Sequence, residues 1–164
     1  KLEINKIKVK NSFRRGLEAE FNYDASKFLV VSGNVTLSEN KILNFKEYVD
    51  QYDADFNYIG QQEIIYKKTH IALSPSIIAA AGVEIKPLKK LSIKLTEKYV
   101  GKQYLDNTSS EEKSLKSFAY TNISAHYTFK IFKNIETEAG VSVFNCSMKC
   151  IQAMAILMAI YMMA

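Results

Sequence analysis

Residues 119–131 read AYTNISAHYTFKI, and their order decides the fold. Ala119, Thr121, Ile123, Ala125, Tyr127, Phe129 and Ile131 fall on one side of an extended chain, and Tyr120, Asn122, Ser124, His126, Thr128 and Lys130 on the other. Successive strand side chains point to opposite faces, so this period of two predicts a strand with one apolar and one polar face. The pattern repeats outward from it. Leu17, Ala19, Phe21 and Tyr23 oppose Glu18, Glu20 and Asn22; Leu29, Val31, Gly33, Val35 and Leu37 oppose Ser32, Asn34 and Thr36. Ile77, Ala79, Ala81, Val83 and Ile85 share a side, Leu91, Ile93 and Leu95 oppose Ser92, Lys94 and Thr96, and Ile135, Thr137, Ala139, Val141 and Val143 share another. About six antiparallel strands follow.

Composition sets the frame around them. At 164 residues the chain holds one domain with a core; 48% apolar and 24% charged residues are the proportions of a folded chain, not a disordered one. Ten Tyr and nine Phe lean towards strands. The net charge is +5, but only Arg14 and Arg15 among the 22 basic residues are arginine, and the lysines are spread evenly. No basic stripe forms, which argues against a nucleic-acid partner.

The connections alternate. DASK (24–27), KPLKK (86–90) and FKN (132–134) are short, whereas residues 39–69 and 105–116 are long and polar. Short turns at one end, long loops at the other, and strands of about 9 to 14 residues with a polar second face are the pattern of an outer-membrane barrel. A soluble β-sandwich whose loops bind a carbohydrate or protein is the alternative, and differs in needing no lipid. The opening KLEINKIKVK has charge throughout and no signal-peptide core, so either the chain is cytosolic or its true N-terminus lies upstream.

Several segments carry a resemblance. SFRRGLEAEF, GNVTLSENKI, EYVDQYDADF, ALSPSII and KYVGKQYLDNTSS, in this order, closely resemble the C-terminal barrel region of TonB-dependent outer-membrane receptors, most like those of Bacteroidetes, over roughly residues 11–145. The resemblance implies a 22-stranded barrel closed by an N-terminal plug, located in the Gram-negative outer membrane. It further implies import of a scarce ligand such as a metal chelate, cobalamin or glycan, with energy passed through TonB. This chain holds about six such strands, so outer-membrane lipid and a ligand are its expected partners. TonB and the plug are expected in the intact parent only.

From Cys146 the chain departs from the family ending and runs into CIQAMAILMAIYMMA (150–164). Read from the third base of the Asn145 codon, each Met-Ala pair must give Gly, Asn145-Cys146 gives Leu, Met148-Lys149 gives Glu and Met162-Met163 gives Asp. With the free bases chosen to suit, the shifted reading becomes LFNEMYSSNGYTYGYIYDG, a family-like ending. The expected organisation is therefore a partial barrel over 1–145 and a frameshifted tail over 146–164. The tail admits a short helix, but its 14 apolar residues from Ile151 make about 21 Å of helix, too short to span a bilayer. If the frameshift is in the genome, a non-functional gene fragment is a further alternative.

Little catalytic chemistry is legible. His70 and His126 lack the spacing of a metal site, Cys146 and Cys150 belong to the suspect tail, and Glu18/Glu20 and Glu136/Glu138 suit a wet face. No phosphate loop or nucleophile elbow occurs. No enzymatic role, cofactor or metal is expected. Tyr99, Tyr104, Phe118 and Tyr120 suit an aromatic belt at a membrane interface. Long loops carry function, and Tyr48, Asp50, Tyr52, Asp53, Phe56 and Tyr58 interleave aromatic and acidic groups in the first of them. These six are the candidate ligand-contacting residues.

Overall fold

The computed structural model describes residues 11–132, 135–146 and 161–163. Its elements are β1 (Ser12–Ser26), β2 (Leu29–Tyr52), β3 (Tyr58–His70), β4 (Ile77–Leu88), β5 (Leu91–Val100), β6 (Gln103–Tyr104), a 3-10 turn (Glu111–Lys113), β7 (Ser114–Leu115), β8 (Phe118–Phe132), β9 (Ile135–Val143) and β10 (Tyr161–Met163). The main sheet runs β1-β2-β4-β5-β8-β9-β10, with β3 also paired to β2; β6 and β7 form a separate ribbon. It is an antiparallel up-and-down sheet, left open: among the described residues β1 and β10 do not pair. All six strands read from alternation are present as β1, β2, β4, β5, β8 and β9. No described helix is long and apolar enough to cross a membrane.

Two compact units divide the chain. One, the strand unit, comprises Glu18–Thr36, Ile77–Val100 and the described part of Ser117–Ala164; the other, the loop unit, comprises the described part of Lys1–Leu17, Leu37–Ser76 and Gly101–Lys116.

In the strand unit, antiparallel register lines the apolar positions into rows. Ile85 pairs with Ile93, Ile93 with Ala125 and Ala125 with Val141; Val83, Leu95, Ile123 and Val143 form the next row. The opposite face has rows such as Glu84, Lys94, Ser124 and Ser142. Exposure is inverted relative to a sheet in water. Ile93, Leu95, Ile123, Tyr127 and Val141 are exposed, while Ser92, Thr96, Asn122, Ser124, His126 and Ser142 are half-buried. The polar face is the more enclosed one, and no second sheet covers the apolar face among the described residues. Glu97 is the exception on the apolar face, and there the Thr121 hydroxyl donates to its carboxylate. On the enclosed face the His126 ring crosses to Glu138, Nδ1 to Oε1 at 2.9 Å, over Gly140, where an added Cβ would lie 2.8 Å from that nitrogen.

In the loop unit the long polar connection read over 39–69 is built from strands. The segment is a β-hairpin: β2 continues to Tyr52, residues 53–57 turn, and β3 returns in register from Tyr52↔Tyr58 to Lys41↔His70. Its cross-strand pairs mix polar with aromatic or aliphatic residues on both faces, as in Lys46↔Ile65 and Glu47↔Ile64, so no apolar alternation marks it. Tyr66 donates to Glu47 at 2.8 Å, Lys46 pairs with Glu63 at 2.6 Å, and the Phe45 and Tyr66 rings lie 6.2 Å apart. Such pairs stabilise a ribbon by a few tenths to about 1 kcal/mol each. Ile42 and its partner Thr69 are buried, as is Phe45, and this is the small core of the unit. The second long connection is also ordered, through β6, β7 and the 3-10 turn. The tail helix is corrected where the tail is described: Tyr161–Met163 is a strand pairing with Glu136–Glu138 of β9. The rest of that helix, over residues 151–160 and 164, lies outside the described residues.

Candidate ligand-binding surface

The six candidate residues lie on the β2–β3 hairpin. Tyr48, Asp50 and Tyr52, spaced by two, share one face of β2 opposite Glu63, Gln61 and Tyr58. Tyr48, Tyr52, Phe56 and Tyr58 are all exposed, Phe56 at 87%. Tyr52 and Tyr58 meet edge to face at 5.9 Å. The two tyrosines and Phe56 are thus gathered at one turn, with Tyr48 four residues along the strand, about 13 Å away.

The acidic candidates are less free. Asp53 is the hinge of the turn: its Oδ1 accepts from the backbone N–H of Asp55 (2.9 Å) and of Asn57 (2.8 Å), and its Oδ2 from the Asn57 amide (3.1 Å). The Asn57 N–H, then the Asn57 side chain, hold its carboxyl below the usual range. An aspartate folding a turn this way is a structural group first. Asp50 Oδ1 accepts from the Gln61 amide at 2.7 Å. On the same face Lys46, then Tyr48, hold the Glu63 carboxyl down. The surface therefore offers exposed aromatic faces beside amides and neutralised charges.

Two further clusters stand at the other end of the hairpin, neither of them foreseen. Arg15 donates twice to Glu39, at 2.6 and 2.9 Å, and Lys68 donates to the other oxygen at 2.9 Å. Lys68 and then Arg15 lower the Glu39 pKa to about 2. Beside them a shallow depression of about 430 Å³ is lined by Arg15, Gly16, Leu37, Ser38, Glu39 and Ser76. The other cluster surrounds His70, whose ring stacks on Tyr104 with centroids 4.8 Å apart and touches Ser109 and Lys41. Tyr104 is itself overlain by Lys102, which pairs with Glu111 at 2.5 Å.

No family model and no curated protein matches this chain. Among solved structures it is similar to the ferric enterobactin receptor (PfeA) of Pseudomonas aeruginosa. One mutant crystal structure of that receptor matches at 17% identity and a TM-score of 0.47, covering 80% of this chain and 16% of that one. A second mutant structure of it matches at 17% and 0.45, covering 77% and 16%. The chain thus spans 16% of the length of that receptor.

The proposed aromatic belt is only partly assembled. Tyr99 lies on the apolar face; Tyr127 and Phe129, whose rings stack at 6.1 Å, share that face but at the opposite end of β5, where Leu91 pairs with Tyr127. Phe118 and Tyr120 fall on the enclosed face and stack on each other at 6.4 Å, and Tyr104 belongs to the His70 cluster. Register explains the split: Tyr99 pairs with Ala119, one residue out of phase with Phe118 and Tyr120. No group of three or more His, Cys, Asp or Glu side chains capable of holding a metal occurs among the described residues.

Proposed function

We propose that this chain is part of the barrel of an outer-membrane receptor that captures and imports a scarce ligand, with residues 1–145 as barrel and the tail from residue 146 as a frameshift product. The inverted exposure of the strand unit carries this reading: Ile123 is 40% and Tyr127 45% exposed, while Asn122, Ser124 and His126, on the opposite face of the same strand, are half-buried. Water would penalise that arrangement, whereas lipid outside and a wet lumen inside favour it. Length agrees. The 10 residues of β5 rise about 34 Å and, tilted about 45°, cross about 24 Å, close to the roughly 25 Å apolar band of such barrels.

The β2–β3 hairpin then serves as an outward ligand-contacting element, with Tyr48, Tyr52, Phe56 and Tyr58 as contact surfaces and Asp50 as a polar contact. Asp53 shapes the turn. The resemblance to TonB-dependent receptors supports import with TonB and a plug in the complete parent, and metal chelates, cobalamin and glycans as the ligand classes. The test is growth of a strain deleted for the parent gene in media limiting in iron, cobalamin or individual glycans. A defect in one medium, reproduced by Tyr52→Ala with Tyr58→Ala in the parent, supports the reading. Normal growth in all of them, with the chain recovered in the soluble fraction, overturns it.

A further inference from the structure

His70 is the last residue of β3, and the connection over residues 101–116 is fastened largely to it. Its backbone N–H donates to Ser109 Oγ at 2.7 Å, its Nδ1 lies 3.1 Å from the same oxygen, and its ring face stacks on Tyr104. Its Nε2 meets the Lys41 ammonium of β2. An ammonium has donors only, so Nε2 accepts, and the ring hydrogen is on Nδ1, donating to Ser109. This arrangement requires the neutral imidazole. Ser109 reaches it from a left-handed backbone, φ 62°, a conformation an L residue holds only when its contacts insist.

We propose that His70 is a proton-operated latch: neutral, it fastens the 101–116 connection to the end of β3, and protonated, it releases it. The charged and titratable groups facing the ring are Lys41 from β2, Lys68 from β3, and Lys102, Tyr104 and Glu111 from the connection itself. Glu111 is occupied by Lys102 and by the Tyr104 hydroxyl, and Lys68 by Glu39. A second proton would set an N–H against the Lys41 ammonium, two donors with no acceptor between them, and the ring must turn out of its stack. Three attachments do not involve the ring: the His70 backbone N–H to Ser109 Oγ at 2.7 Å, and Leu73 N–H to the Tyr104 carbonyl and Ala72 N–H to Asn107 Oδ1, each 2.8 Å. They hold the connection near but not closed.

The sign follows. Burial, then Lys41, Lys102 and Lys68, hold the His70 pKa below its ordinary 6.5. A folded-state pKa below the unfolded one means that the closed form is fully supported above pH about 6.5 and loses support as pH falls through the folded value. The test is hydrogen exchange of the full chain in detergent, corrected for the intrinsic pH dependence, at pH 7.5 and 5.0. Protection of the Leu105 and Ser110 amides should fall about fivefold, the factor for losing one net hydrogen bond. His70→Gln should abolish the pH response, and His126→Gln should leave it intact. A flat wild-type response, or one that survives His70→Gln, overturns the latch. Should His70→Gln not fold, the ring resonance of His70 decides: its titration midpoint must coincide with the opening transition, and separate midpoints refute the proposal.

Discussion

A lysine placed along the apolar face gives a graded response that only lipid produces. Leu95 stands in the middle of β5, 45% exposed; Ile131 stands near the end of β8, 50% exposed, and both belong to the apolar series of the alternation. If that face met water, each substitution would lose about half of a leucine's or isoleucine's burial, about 1 kcal/mol at both sites. Against hydrocarbon, Leu95→Lys costs about 2–4 kcal/mol and Ile131→Lys about 0–1, because the penalty is greatest at the midplane. The discriminating quantity is therefore the difference between sites, about 2–3 kcal/mol in lipid and near zero in water. Denaturant unfolding of the chain from phosphatidylcholine vesicles reads it, with Asn122→Lys on the enclosed face as control. Equal costs at positions 95 and 131 would refute the assignment of this face to lipid.

Further outcomes follow from single groups. Gly16→Ala puts a Cβ 2.4 Å from the Leu37 carbonyl oxygen, so backbone must move, and a loss of about 1–3 kcal/mol in unfolding free energy is expected. Glu39, with its pKa lowered to about 2, contributes stability that is complete above pH about 4.5 and lost as pH falls towards 2. Its side-chain carbonyl resonance should titrate near that value, and Glu39→Gln should flatten stability between those pH values. Genomic sequence across the Asn145 codon should show that a one-frame correction restores LFN and NGY. A clean frame encoding the apolar tail would remove the frameshift.

How much was legible depended on which face of each strand carried information. Where one face is apolar, as in Leu91–Leu95 and Ala119–Ile131, period two marks the strand and its register, and six strands stand where alternation placed them. Residues 39–69 hid their hairpin because polar and apolar residues mix on both of its faces: Lys46 with Glu63 and Tyr66 with Glu47 stabilise pairing without leaving a pattern. Of the candidate residues, the exposed aromatics were legible as an unusual concentration. Asp53 was not legible as a turn-former, although Asp-x-Asp-x-Asn around a reversal was a usable signal. The His70 cluster was invisible, since Lys41, Tyr104 and Ser109 are separated from it by 29 to 39 residues and only the folded connection gathers them.

The chain contains no tryptophan, which makes a single introduced one a clean reporter of which face meets lipid. Leu95→Trp and Asn122→Trp lie on opposite faces of neighbouring strands, one residue out of phase. In vesicles containing lipids brominated near the bilayer centre, the account predicts strong quenching of Leu95→Trp by the acyl-chain bromines with little quenching by aqueous acrylamide, and the reverse for Asn122→Trp. Acrylamide quenching of both, with no effect of the brominated lipids on Leu95→Trp, would contradict it.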